Sequence, residues 1–203
     1  MVRKFLKSIC FAWVLLLVIP AFAASSPVET LEVTSNKMIS ALKQHKATLK
    51  NNPKLVHSLV RQILLPHVDV LSMSRSVLGR QVWNNATAAQ RTTFMNAFTA
   101  TIVRTYSSAF SSYTDERVQF FPLREGYAGQ QQVQVRSLII RSNGPSIPVD
   151  YRLVLRGNTW KVYDFSVEGV SLVQSFRAQY SSEIASGGLD GLLAKMQRHN
   201  TGR

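Results

Sequence analysis

Between Gln132 and Val167 the chain keeps a two-residue rhythm that leaves few folds open to it. Val133, Val135, Ser137 and Ile139 alternate with Gln132, Gln134, Arg136 and Leu138. Ile147, Val149, Tyr151, Leu153 and Leu155 then alternate with Pro148, Asp150, Arg152, Val154 and Arg156. Successive side chains of a strand point to opposite faces, so this pattern makes strands with one covered face and one wet face. Gly157-Asn158 follows at once, a tight-turn signal that returns the chain through Thr159–Val167 as a hairpin partner. With a short strand at Val118-Gln119-Phe120, the pattern predicts an antiparallel sheet of about four strands. The last strand does not declare its sides. Trp160 and Val162 share one face, yet Tyr163, Phe165 and Val167 are apolar as well, which points to two covered faces or a bulge. On the wet face Arg136, Arg152 and Arg156 stand with few acids to balance them.

Helical spacing surrounds the sheet. Leu31, Met38, Ile39 and Leu42 mark a first helix, and Pro53 opens a second, whose stripe runs Leu55, Val56, Leu59, Val60, Ile63, Leu64 up to Pro66. A third spans about 68–78 and ends at Gly79. Thr87 and Gln90 have the spacing of a capping box and open the longest helix, about 88–111. Phe94, Phe98, Ile102, Tyr106 and Phe110 recur every four residues along it, so their stripe winds slowly around a helix of 3.6 residues per turn. After Gly169, Val173, Phe176, Tyr180 and Ile184 form another apolar face. Gly187-Gly188 breaks it before Leu189, Leu192, Leu193 and Met196. Helices, then hairpins, then helices predict an α+β fold, one antiparallel sheet with helices packed on one face.

The N-terminus supplies the compartment. Arg3, Lys4 and Lys7 precede a short apolar run, Ile9 to Ile19, which Pro20 breaks before Ala21-Phe22-Ala23. This is the layout of a secretory signal peptide, too short for a membrane-spanning helix. The expected organisation is a signal peptide over 1–23, a single domain over 24–196 and a polar tail over 197–203. Cleavage would remove three positive charges and no acid, taking the net charge of +13 to +10, and would remove the chain's one cysteine. Disulfide, thiolate-metal and cysteine-nucleophile chemistry then lie outside the mature protein. The basic surplus points to an anionic partner, and export argues against nucleic acid as that partner.

Catalytic chemistry is thin. His45, His57, His67 and His199 have no metal-pair spacing, and no cofactor is called for. Ser171 lacks the second glycine of a nucleophile elbow and suits a helix cap instead. Asp164 and Glu168 beside an aromatic-rich strand could serve as a general base on a hydrophobic substrate, as in small α+β isomerases, or could pair with an arginine. A chain so rich in apolar alternation and so poor in reactive groups reads as a binder, not an enzyme.

Two blocks carry a family resemblance. The first runs through Leu64-Leu65-Pro66-His67-Val68, Val77-Leu78-Gly79, Ala86-Thr87-Ala88-Ala89-Gln90-Arg91, Phe94, Phe98 and Tyr106. The second is Trp160-Lys161-Val162-Tyr163-Asp164, Glu168-Gly169-Val170-Ser171-Leu172-Val173 and Gly188-Leu189-Asp190-Gly191-Leu192. Together they resemble the MlaC family of toluene-tolerance auxiliary proteins. The resemblance implies an NTF2-like α+β fold enclosing an apolar lipid cavity, and a monomeric phospholipid carrier in the periplasm. It implies transfer between an outer-membrane lipoprotein complex and an inner-membrane ABC transporter complex, which maintains outer-membrane lipid asymmetry. Expected lipid-binding residues are Val133, Val135, Val149, Tyr151 and Leu153 on the sheet, and Phe94, Phe98, Ile102, Val173 and Phe176 on the helices.

Overall fold

A computed structural model describes residues 25–201, so the expected signal peptide lies outside the described residues. Helix α1 spans Pro27–Gln44, a short α2 spans Lys46–Leu49, and α3 spans Pro53–Leu59. The chain continues from α3 through a π turn, Val60–Leu64, and a 3-10 turn, Leu65–His67. Helix α4 is Val70–Asn85 and α5 is Ala88–Ser111. Four strands follow, β1 Arg117–Phe120, β2 Gln132–Ile140, β3 Ile147–Arg156 and β4 Thr159–Val167. A two-residue β5, Val170–Ser171, leads directly into α6, Leu172–Thr201. The sheet is an antiparallel meander in the order β1-β2-β3-β4-β5. It has five strands where the pattern predicts about four. The fifth hides in Glu168-Gly169-Val170-Ser171, too short to show a period, and pairs Val167 with Val170 and Ser166 with Ser171.

The local signals explain the helix ends. At the start of α5 the Gln90 N–H donates to the Thr87 hydroxyl (3.1 Å) and the Thr87 N–H donates to the Gln90 side chain (2.9 Å), completing the capping box. At the start of α6, Ser171 accepts from the Gln174 N–H at 3.1 Å, which makes it a cap, as its position suggested. Gly79 does not end its helix. With φ at 76° it turns the axis, and the helix resumes to Asn85. A side chain there would be strained by that φ and would meet the Arg177 guanidinium, 3.4 Å from the Cβ position. Gly188 makes a similar break in α6, with φ at 66°. The stretch from Gln197, expected as a tail, stays helical to Thr201. Asn200 donates to the Ala97 carbonyl at 2.9 Å, and Arg104 donates to the His199 carbonyl.

The last strand carries both features the sequence left open, a bulge and a covered outer face, where Asp164 is 3 % exposed and Tyr163 packs against helices α4 to α6. Arg152 pairs with Asp164, but Leu153 pairs with Val162, which leaves Tyr163 extra. The insertion reverses the parity of β4. Trp160 and Val162 precede it and Phe165 and Val167 follow it, all on the same face as Val149, Tyr151 and Leu153. Leu31 of α1 packs with Val133, Val135, Leu153, Trp160 and Val162, so this is the inner face. Tyr163 donates across β3 to the Gln132 side chain at 3.3 Å on the outer face.

The outer-face arginines are more evenly balanced than the sequence suggested. Arg156 donates to Asp69 at 2.8 Å and to the Ser72 hydroxyl at 2.8 Å. Arg152 lies 3.7 Å from the Asp164 carboxylate. Arg136 stands opposite Asp150 in the β2–β3 register. Both Asp69 and Asp164 are distant in sequence from the arginine they meet, so alternation alone could not reveal the pairing.

Candidate functional site

The expected lipid-binding residues sort into two environments. Phe94, Phe98, Val173 and Phe176 join α4, α5 and α6 in one apolar cluster, with Ile102 packed at its side. The Phe94 and Phe98 rings stack at 5.6 Å between centroids, and Phe98 meets Phe176 edge-on at 5.2 Å. Tyr180 closes the group, edge-on to Phe94 at 6.0 Å. Phe94 and Phe98 are each 0 % exposed, and so are Val135 and Leu153 of the sheet, so close packing holds in both environments. Burial pushes the Tyr180 phenol up to about 12.

The sheet residues form the second environment. Val133, Val135, Val149, Tyr151 and Leu153 all point inward, as the alternation predicts. Val133, Val135, Val149 and Leu153 are buried. Tyr151 retains accessible surface, yet burial of its phenol raises its pKa. Phe165, its partner across β4, is likewise half-buried and meets Tyr106 of α5 edge-on at 5.4 Å. Phe120 of β1 lies 5.9 Å from Tyr151 on the other side. Phe120 and Tyr151 pack with the sheet cluster, while Phe165 and Tyr106 pack against the α4–α5–α6 cluster, so these four rings make an aromatic band that joins the two environments. Tyr106 and Phe165 were not among the expected lipid-binding residues. Tyr106 was legible as a member of the helical stripe, whereas Phe165 needed the bulge to turn it inward.

The buried acid near this region, Asp164, is committed elsewhere. The Ser171 hydroxyl donates to one Asp164 oxygen at 2.7 Å and the Val173 N–H donates to the other at 3.1 Å. With Arg152 beside it, Asp164 is a cap that ties the start of α6 to β4. Glu168 is exposed, in the turn between β4 and β5. Among the described residues no group of His, Cys, Asp or Glu could hold a metal ion, and no helix is long and apolar enough to cross a membrane.

The model of the family described as MlaC protein matches residues 32–198. The chain belongs to the MlaC family. Among relatives, it is 28% identical over 181 residues to the intermembrane phospholipid transport system binding protein MlaC of Haemophilus influenzae, covering 88% of this chain and 84% of that one. It is 26% identical over 168 residues to the toluene tolerance protein ttg2D of Pseudomonas putida, covering 83% of this chain and 77% of that one. A solved structure, the phospholipid-binding protein from Ralstonia solanacearum in complex with a phospholipid, superposes with a TM-score of 0.80 at 26% identity, over 87% of this chain and 98% of that chain. The MlaC match takes in both environments, the packed α4–α5–α6 cluster and the inner wall of the sheet.

Proposed function

We propose that this MlaC-family chain is a periplasmic phospholipid carrier that shelters acyl chains between the inner face of its sheet and helix α5. The observation that carries the reading is the aromatic band. The residues of that face are apolar from strand to strand, yet Tyr151 and Phe165 at its centre keep accessible surface while facing the helices. Each methylene taken from water is worth about 0.8 kcal/mol, so a carrier must offer apolar wall to both tails. Val133, Val135, Val149, Tyr151 and Leu153 supply the sheet side of that wall, and Ile102 with Phe176 supplies part of the helical side. Phe94, Phe98 and Val173 then act behind the wall, as the packed support of α5.

The relatives named for intermembrane phospholipid transport and for phospholipid binding support the substrate class. The carrier works as a monomer. It receives and delivers lipid at an outer-membrane lipoprotein complex and an inner-membrane ABC transporter complex, and it thereby maintains outer-membrane lipid asymmetry. It does this without a cofactor or catalysis of its own, and energy comes from the inner-membrane partner. The alternative, an enzyme with Asp164 or Glu168 as base, fares worse because both Asp164 oxygens already accept hydrogen bonds.

Organic extraction of protein purified from the periplasm, followed by mass spectrometry, tests the reading. Near-stoichiometric phospholipid is expected. Lipid-free protein that also takes up none from vesicles would defeat it.

A further inference from the structure

The pairing of the sheet runs out along one edge of β2. Strand β3 pairs with β2 from Ile139 back to Gln132, and the Leu155 N–H donates to the Gln131 carbonyl at 2.9 Å. Strand β1 covers the other side only from Ile140 to Ser137, with one more bond from the Phe121 N–H to the Arg136 carbonyl at 2.9 Å. Residues of an antiparallel strand alternate in which neighbour their main-chain groups turn to. The Gln131–Leu155 bond puts Val133 and Val135 in the series bonded to β3, so Gln132 and Gln134 turn their N–H and C=O groups the other way. Arg136 belongs to the same series and is met by Phe121. The next rung would join Leu123 to Gln134, but the chain leaves the ladder at Pro122 and that rung does not form. Among the described residues, no backbone hydrogen bond from loop 121–131 reaches Gln132 or Gln134.

The loop is anchored elsewhere. Leu123 and Tyr127 pack against the inner cluster of the sheet, and Tyr127 stands edge-on to Trp160 at 6.4 Å. Between loop and edge lies a groove of about 300 Å³, lined by Phe121, Pro122, Leu123 and Arg124 of the loop and by Gln134 and Arg136 of the strand. Gln134, Arg124 and Arg136 are exposed. Among the described residues neither arginine makes an ion pair, although Asp150 stands opposite Arg136 in the register. Glu125 is the one acid in the lining. A strand edge with unmet donors and acceptors is a template for another strand. Side chains of an added strand would alternate, one row beside Gln134 and Arg136 and the other on the side of Val133 and Val135.

We infer that the free edge of β2 at Gln132 and Gln134 takes an extended segment of a partner protein as an added strand, one that alternates acidic residues, which meet Arg124 and Arg136, with apolar ones. Main-chain bonds to Gln132 and Gln134 hold the segment, and the two arginines select its charge. A second copy of this chain suits the groove less well, because pairing two such edges would bring the arginines of both copies together. The inference goes beyond the carrier reading and does not depend on it, since the edge is the same whether or not lipid is bound.

The test uses the mature chain and two capped peptides of about eight residues, one alternating valine with glutamate and the other valine with lysine. Amide hydrogen exchange is read residue by residue by NMR, and affinity by titration. In the free chain the Gln132 and Gln134 amides should exchange quickly, unlike those of Val133 and Val135. The glutamate peptide should slow Gln132 and Gln134 by about tenfold or more, and the lysine peptide should bind at least about tenfold more weakly. Gln134→Pro, which removes the edge N–H, should abolish the binding, and Arg136→Glu should narrow the gap between the peptides; neither should change the lipid load. Slow exchange of both glutamines in the free chain overturns the inference, because the edge would already be covered. So does a glutamate peptide that fails to bind, or binds no better than the lysine one. Protection that grows with the concentration of the chain alone would seat a second copy on the edge and overturn the partner assignment. If Gln134→Pro folds poorly, Arg136→Glu and the exchange of the unmodified chain decide. Loss of lipid without loss of peptide binding would count against the carrier reading alone.

Discussion

Helix α5 presents one stripe to two different neighbours. Its first half sends Phe94 and Phe98 into the bundle with α4 and α6, where both are fully buried. Its second half sends Tyr106 toward the sheet, where the ring, like Phe165 opposite, is only half-buried. The side chains are of one kind and recur at one spacing. What differs is how completely each ring is covered. In the bundle, helix packs on helix and rings interlock. Against the sheet, Tyr106 meets Phe165 at 5.4 Å, as close as the bundle rings meet one another, yet both keep accessible surface. An aromatic stripe therefore reports direction, while the neighbour decides how far each ring is shut away.

Equivalent truncations should break this comparison most sharply. Phe98→Ala removes a ring locked among Phe94, Phe176 and Tyr180, and should cost about 3–5 kcal/mol. Phe165→Ala removes a half-buried ring, and should cost about 1–2 kcal/mol, below the packed-core range. Urea midpoints at equal m-values measure both. Equal losses would mean that the sheet side is as filled as the bundle.

Adding bulk probes the same contrast from the other direction. Val149→Trp places an indole on the inner wall. In a filled core it would cost roughly 1–3 kcal/mol. Beside a lipid compartment it should leave the melting temperature of stripped protein within a few degrees and cut bound phospholipid at least by half. A destabilised variant with full lipid load would put Val149 in packed core.

A smaller effect concerns how the bundle is held to the sheet. Burial would raise the Asp69 pKa, but the Ser72 N–H, the Ser72 hydroxyl and Arg156 outweigh it and hold the carboxyl below its usual value. A lowered folded pKa means that this stability is present above the unfolded value, about 3.9, and is lost as pH falls through the folded one. Arg156→Ala should cost about 1 kcal/mol at neutral pH, since the arginine is half-exposed, and should flatten the acid loss. Thermal melts between neutral pH and pH 2 check the slope.

The least effect belongs to Tyr180. Its phenol, pushed up to about 12 by burial, contributes stability below the unfolded value near 10 that is lost as pH rises toward 12. Ultraviolet titration should show several tyrosines ionising late, Tyr180 at about 12 among them, and Phe98→Ala should bring the Tyr180 step earlier by opening the packed side.

The sequence by itself determined most of the elements and their inward sides. Alternation in β2 and β3 put Val133, Val135, Val149, Tyr151 and Leu153 on one face, because the side-chain period of a strand is fixed by its pleat. Thr87 with Gln90, and Ser171, located two helix starts, because a cap acts over three residues and is written locally. Tertiary structure decided the rest. The extra residue Tyr163 reversed the sides of β4, and only pairing with β3 could specify where the insertion falls. Gly79 turned α4 without ending it, because the packed cluster beyond rewards Trp83 for rejoining the core. Asp69 and Asp164 found arginines 87 and 12 residues away, and no local pattern encodes such a meeting. Whether a ring is core or wall also lay beyond the sequence. Periodicity fixes the direction in which a side chain points, whereas the distance to what it meets is set by how whole elements pack.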